Sequence, residues 1–180
     1  MTSGSNRLLW LWLISATIVS TMLLGKPDLG MTINGCLAGL VAITAPCAFV
    51  RVMSSFIIGL IAGGIVVLAV IGFDKLHIDD PVGALAVHLC NGVFGTLCVG
   101  LFAESQWTPG QAAGLFFGGG LKQLAVQFQG IIAVAAFVFL VAYLAWQLIK
   151  ATMGLRVSIQ EEIEGLDIGE HGQQTYPEFV

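Results

Sequence analysis

Five long runs of apolar residues, each closed by charges, glycine or proline, set the plan of this chain. They occupy residues 8–24, 29–50, 52–73, 83–103 and 124–149. A helix needs about 20 mostly apolar residues to cross a bilayer, and about 17 at the least. The first run just reaches that length and the last is the longest, so the pattern predicts an all-α membrane protein with about five transmembrane helices. The first run follows Arg7 and superficially resembles a signal peptide. No small-x-small cleavage site comes after it; Lys26, Pro27 and Asp28 do, so it reads as a helix. Trp10 and Trp12 are placed near one end as interfacial anchors.

The breaks have local causes. Gly25, Lys26, Pro27 and Asp28 join a chain breaker to two charges. Arg51 alone marks the next break, which predicts a very tight turn. Residues 74–81 hold Asp74, Lys75, His77, Asp79 and Asp80, and Pro81 suits the first turn of the following helix, with Asp80 or Asp79 near its N-cap. Residues 104–122 form a longer connection with Pro109 and three glycines at 118–120. Its apolar middle, 112–117, suits the membrane interface or a dip inward. Beyond Lys150 the composition turns acidic, so residues 1–153 form the predicted membrane region and 154–180 a solvated tail.

Composition agrees. The chain of 180 residues is 57% apolar and 10% charged, where a soluble domain carries about a quarter charged residues. With a net charge of −4 and no basic run, nucleic-acid binding has no support. Cys36, Cys47, Cys90 and Cys98 all fall inside apolar runs without zinc-ligand spacing and read as small packing residues. HExxH, GxSxG and CxxCH motifs are absent, which argues against a membrane hydrolase or a haem protein. No enzyme activity, metal or cofactor is expected.

His88 is the exception to the apolar pattern, the one ionisable group in the fourth run. An imidazole at membrane depth is costly, and the default reading is a site on a substrate or proton path; the alternative is a neutral ring satisfied by facing helices or water. Asn91, Gly92 and Gly95 lie three, four and seven residues on, along the same helical stripe. That stripe suits either a narrow pore wall or a close helix neighbour. Gly35 with Gly39, and Gly59 with Gly63, are GxxxG pairs that let helix backbones approach. Thr32, Asn34 and Thr44 add polar groups to the second run. Thr44 precedes Pro46, where a hydroxyl can compensate a carbonyl that proline frees, or can line a pore.

From Lys26 onward the sequence resembles the C-terminal half of an ammonium transporter of the Amt/MEP/Rh superfamily. The resemblance rests on GKPDLGMTINGCLAGLVAITAPCAFV at 25–50, IIGLIAGG at 57–64, DDPVGALAVHLCNGVFGTLCVGLFA at 79–103 and GLRVSIQEEIEGLDIGEHG at 154–172, in the family's order and spacing. It implies the second half of an eleven-helix fold built from two inverted five-helix halves and one further helix, assembled as a homotrimer in the cell membrane. Each subunit of that family has its own hydrophobic pore with two facing histidines, one from each half. His88 matches the second of them, and Thr44 a pore-side threonine near the outer recruitment site. Gly165, Asp167 and His171 match the cytoplasmic C-terminal region, which communicates with signalling proteins of the PII class.

The family's first six helices have no counterpart here, and residues 1–24 match its seventh helix poorly. The chain is therefore expected to be a partial transporter that cannot build the whole pore alone. The alternative is a non-transporting membrane fragment that co-assembles with full-length subunits or regulates them. In the pore the resemblance implies, a bare ammonium ion meets a prohibitive apolar barrier. An imidazole pair sharing a proton can hydrogen-bond ammonia and relay a proton without a fixed charge, and His88 supplies one member of that pair.

Five spans put the termini on opposite sides. Arg7, Arg51 and Lys122 fall on one side; Lys26, Lys75, Lys150 and Arg156 fall on the other, which favours a cytoplasmic C-terminus. A reporter fused after Val180 is expected to be active only if its chemistry works in the cytoplasm. Activity of a periplasm-only reporter there would reverse the orientation.

Overall fold

The computed structural model describes residues 4–107, 110 and 112–172, with side chains from residue 14 onward. The side chains of the anchors Trp10 and Trp12 and of the flanking Arg7, and the loop residue Pro109, lie outside what is described. Helices α1 (Gly4–Leu24), α2 (Leu29–Thr44) and α3 (Val52–Lys75) are followed by a π-helical turn (Leu85–Cys90) that runs straight into α4 (Asn91–Phe102). A 3-10 turn (Leu115–Phe117) precedes α5 (Lys122–Thr152), and the short α6 (Ile159–Glu164) and α7 (Leu166–Gly169) follow. No strand occurs among the described residues. Three helical stretches are long and apolar enough to cross a membrane: Val52–Lys75, Leu85–Phe102 and Lys122–Thr152. Leu29–Thr44 is a shorter apolar helix, and Ile14–Leu24 is the apolar part of α1 whose side chains are described. All five lie in the predicted order.

Two boundaries depart from the sequence pattern. The second apolar run reaches residue 50, but α2 stops at Thr44. Pro46 has no N–H to return to the Ala42 carbonyl and its ring crowds that turn, so the chain continues as turns, with the Cys47 amide on the Ile43 carbonyl at 2.9 Å and the Phe49 amide on the Pro46 carbonyl at 2.8 Å. In the fourth run, Pro81 lies in a turn ahead of the helix rather than in its first turn. Gly83, at a φ of 75°, redirects the chain into the helix, a backbone angle that favours glycine.

The chain divides into two compact units, Met1–Val134 and Ala135–Val180. In the first, α1, α2 and α3 pack on one another and α4 lies against α2 and α3. The contact faces are built from small residues. Gly35, Ala38, Gly39 and Ala42 are the buried face of α2, and Ser54, Ser55, Gly59, Ala62 and Gly63 form much of that of α3. Lipid gives no hydrophobic drive between helices, so close backbone approach and interhelical hydrogen bonds hold them. Ser15 Oγ donates to the Leu60 carbonyl at 2.6 Å, and Thr17 and Thr32 share a hydrogen bond at 3.0 Å, which joins α1 to both neighbours. Asp28 starts α2 by accepting from the Met31 amide at 2.8 Å.

At the far end of α2, the Arg51 guanidinium grips Glu104 through two bonds, Nε to Oε1 at 2.5 Å and Nη2 to Oε2 at 2.6 Å. The Glu104 side chain is only 7% exposed. Arg51 also covers the Phe117 ring at 4.9 Å, and Phe116 packs on Phe102 at 5.1 Å. The 3-10 turn is thereby folded back over the helix ends, which is where the apolar middle of the 104–122 connection goes.

The second unit holds the rest of α5 and the tail. Residues 135–152 are exposed throughout. The acidic tail is largely exposed through residue 172 and is not structureless. Ser158 and Glu161 form a reciprocal capping box that starts α6, with the Ser158 amide on Glu161 Oε2 at 2.8 Å. These bonds hold the Glu161 carboxyl below its ordinary value.

Hydrogen bonds from Arg51 likewise hold the Glu104 carboxyl below its ordinary value of 4.5, against the opposing effect of burial. The folded chain thus binds this proton less readily than the unfolded chain. The pair's contribution is present above the ordinary carboxylate value and is lost as pH falls through the folded one. Hydrogen-exchange protection of the Glu104 and Gly114 amides, corrected for intrinsic rates, should therefore be high at neutral pH and fall at acid pH below about 4.5. Glu104→Gln should show the low protection already at neutral pH. A flat profile in the unsubstituted chain would show that the pair contributes nothing to holding this connection.

Candidate functional site

The fourth apolar run enters its helix through a set of side-chain clamps on the backbone. Asp80 sits just ahead and its two carboxylate oxygens accept from the Leu85 and Ala86 amides, each at 3.1 Å. Those amides have no partner further back in the helix, and an anion is favoured at a helix start. From α2, Asn34 Nδ2 donates to the Val82 carbonyl at 3.3 Å. A Cβ on Gly83 would run into that Asn34 side chain, so glycine is required there for space as well as for its φ. Of the two carboxylates expected near the helix start, Asp79 and Asp80, it is Asp80 that binds its first amides, from a position several residues ahead of the N-cap Ala84; the Asn34 tether had no local signal, because its acceptor lies 48 residues away.

The helix then opens with the π turn Leu85–Cys90, which contains His88. Single π turns inside helices are uncommon and recur at functional sites. His88 is exposed and its ring makes no hydrogen bond to any described residue. Its neighbours Leu85 and Leu89 are exposed too, at 37% and 53%, so the imidazole lies on an open apolar face. The stripe expected from plain helical spacing is divided. Asn91 and Gly95 are buried, Gly92 is half-buried and His88 is exposed. The π turn holds one residue more than an α turn and rotates His88 away from the packed face.

Asn91 faces the core with no exposure at all. Its Nδ2 donates to the Ala86 carbonyl at 3.0 Å, while its Oδ1 has no partner among the described residues. Gly95 lies directly on α2, where a Cβ would meet the Ala42 backbone, with its carbonyl carbon and Cα both at 2.9 Å. This is the carbonyl to which Pro46 cannot donate, so the close crossing of α4 and the end of α2 coincide. Gly92 has room, its nearest neighbour being Val41 Cγ1 at 3.9 Å.

Thr44 is exposed at the end of α2, and its hydroxyl donates to the Leu40 carbonyl at 2.7 Å. The hydroxyl thus serves the backbone one turn back, and no hydrogen bond joins it to His88. The remaining expected residues lie in the tail. Gly165 separates α6 from α7 at a φ of 89°, half-buried, with Asp167 Oδ1 at 2.8 Å from where its Cβ would be. Asp167 is half-buried and His171 is exposed beyond α7. An open groove of about 470 Å³ lies before the π turn, lined by Asp28, Asn34, Asp74, Asp79 and Asp80 among others. Among the described residues no cluster of His, Cys, Asp or Glu is arranged to hold a metal ion. The features that sequence patterning missed are the π turn and the bidentate Arg51–Glu104 pair, whose partners are 53 residues apart. The Ser158–Glu161 box was readable as S-x-x-E.

Comparisons with known proteins give this geometry its context. The sequence profile described as Ammonium Transporter Family matches residues 12–176. Ammonium transporter Amt2 of Archaeoglobus fulgidus is 40% identical over 173 residues, covering 93% of this chain and 36% of that protein. Ammonium transporter Amt1 of Haloferax mediterranei is 38% identical over 168 residues, covering 93% of this chain and 30% of its own. Among solved structures, one described as a Sensor Amt Protein superimposes with a TM-score of 0.81 at 35% identity, covering 93% of this chain and 40% of that one. Saccharomyces cerevisiae Mep2 superimposes with a TM-score of 0.77 at 26% identity, covering 87% and 36%. The chain spans about a third of the length of the curated relatives it matches.

Two of the three glycines of α4, Gly95 and Gly92, should respond to alanine with opposite signs. Gly95→Ala forces α4 off the α2 backbone and should destabilise the bundle by about 1–3 kcal/mol. Gly92→Ala adds a methyl into free space and should stabilise the helix by roughly 0.5–1 kcal/mol. Reversible unfolding by SDS in mixed micelles measures both; equal effects would mean that Gly95 is not the close crossing point.

Proposed function

Because this chain belongs to the ammonium transporter family, we propose that it supplies one wall of a pore for ammonium or ammonia, with His88 as the wall's working imidazole. The observation that carries this reading is the exposed His88 ring on an apolar helix face, within a π turn and free of any hydrogen bond to a described residue. A buried structural histidine would have its nitrogens satisfied; this one keeps both available. Each nitrogen can donate or accept according to tautomer. Facing a second imidazole from a complementary first half, His88 hydrogen-bonds ammonia and passes a proton along the pair, so that no bare cation has to cross the apolar stretch. The half-pore offers no fixed charge beside His88, since Leu85, Leu89 and Val87 are its near neighbours in the chain.

Other parts of the reading follow the family likeness. Thr44, exposed at the opposite end of the bundle from Asp80, belongs at the outer mouth. Asn91, Gly92 and Gly95 act mainly behind the wall. Residues 1–153 form the membrane region and the tail from 154 is cytoplasmic, where Gly165, Asp167 and His171 meet cytoplasmic loops and a PII-class partner. The complete assembly is a homotrimer. The second reading, a fragment that co-assembles without transporting, draws on the same open apolar faces, because residues 135–152 are exposed throughout.

Growth of a transporter-deficient strain on low ammonium, or uptake of methylammonium, separates these. This chain alone should not rescue growth. Co-expressed with, or joined to, the N-terminal half of a relative such as Amt2 of Archaeoglobus fulgidus, it should restore uptake, and His88→Ala should then abolish or alter it. Rescue by the chain alone would refute the one-wall reading. Unaltered uptake by the His88→Ala assembly would reduce His88 to a surface residue, and absence of uptake in every combination would favour the non-transporting reading.

A further inference from the structure

We infer that Asn91 is a positioning residue for His88: its side-chain amide holds the π turn that presents the imidazole on the open apolar face. The functional consequence rests on the pore reading above; the geometry does not. In an uninterrupted α-helix, His88, Asn91 and Gly95 share one face. Here Asn91 and Gly95 are buried against the other helices while His88 is exposed. The π turn Leu85–Cys90 is what separates them.

The turn is held at one residue from two sides. Ala86 is fully buried. Its amide is bound by Asp80 Oδ2 at 3.1 Å, and its carbonyl accepts from Asn91 Nδ2, five residues on, at 3.0 Å. Five residues is the π spacing, so the Asn91 side chain places a donor at the acceptor that a π turn uses. The same side chain leaves its Oδ1 buried without a partner among the described residues. A buried acceptor left idle is destabilising, and an apolar residue of similar shape would avoid it. What the amide adds in return is the bond to Ala86. Asn91 therefore acts through backbone geometry and never touches the transported species.

The test uses the full chain in lipid nanodiscs with ring-labelled histidine. The chain has three histidines, assigned through His77→Gln and His171→Gln. A nitroxide-bearing lipid broadens the ring signals of residues exposed to hydrocarbon. Asn91→Leu should lower the ratio of exposed to packed His88 by roughly fivefold, the shift expected when one net hydrogen bond is lost, read as reduced broadening of the His88 signal, and leave His77 and His171 unchanged. Asn91→Ala should do the same and guards against a leucine that does not fit. An unchanged His88 signal in a folded variant overturns the proposal. A measurement without substitution guards against both variants misfolding: the dipolar coupling between Asn91 Nδ2 and the Ala86 carbonyl carbon should report a hydrogen-bonded distance, and its absence also overturns the proposal. In the complemented assembly, Asn91→Leu should lower uptake only when His88 is present. Asn91-dependent broadening together with normal uptake by His88→Ala would support the positioning role and reject the pore reading.

Discussion

Within an apolar membrane interior, every backbone N–H and C=O must find its partner inside the protein. A regular helix meets that demand by itself. This chain departs from regular helix at two places within its apolar runs, the end of α2 at Pro46 and the π turn before α4. Each departure is surrounded by side chains that serve the backbone. Asp80, Asn34 and Asn91 bind amides and carbonyls around the π turn, and Thr44 returns its hydroxyl to Leu40 one turn ahead of Pro46. The polar residues of the membrane region are thus mostly committed to the chain itself, and His88 stands out because it is not.

The same constraint explains the packing. Helices that gain nothing from hiding apolar surface from lipid associate through close approach and hydrogen bonds. The buried face of α2 is accordingly glycine and alanine, and that of α3 is mostly glycine, alanine and serine with Ile58, Val66 and Val67, while other large residues such as Leu37, Leu40, Leu60 and Leu68 are exposed. Gly95 carries this furthest, since α4 rests on the α2 backbone where Pro46 ends the helix. At the end of the bundle that carries Arg51 and Glu104, the logic changes to that of an aqueous boundary: a bidentate guanidinium–carboxylate pair and aromatic contacts fasten the long connection over the helix ends.

For function, the consequence is a division of labour along one short stretch. Residues 79–95 contain the carboxylate that starts the helix, the imidazole on its open face, the amide behind it and the glycine that seats it. Only the imidazole faces outward without a backbone task. A pore wall needs such a surface: apolar, free of fixed charge, with a single group able to exchange protons. The large exposed apolar area of the first unit and of α5 is the surface that a membrane and complementary chains would cover.

Much of this was legible in the sequence. The apolar runs determined five helices and their order, because a bilayer demands length and apolarity and little else. Asp80 as a cap, the small-residue faces and His88 as the odd polar group were local patterns with local causes. The family likeness also lay in contiguous motifs. Other features depended on the folded chain. Whether α2 would kink or end at Pro46 turned on what packs there. Arg51 and Glu104 are far apart in sequence, and no local pattern pairs them. The face on which His88 lies was misjudged from spacing, because a regular 3.6-residue period puts it with Asn91 and Gly95. A π turn adds a residue to the count, and its placement here depends on the tertiary clamps of Asp80, Asn34 and Asn91. Sequence therefore determined which residues break the apolar pattern, and tertiary structure decided which way they point, since one extra residue in a single turn is enough to change a helix face.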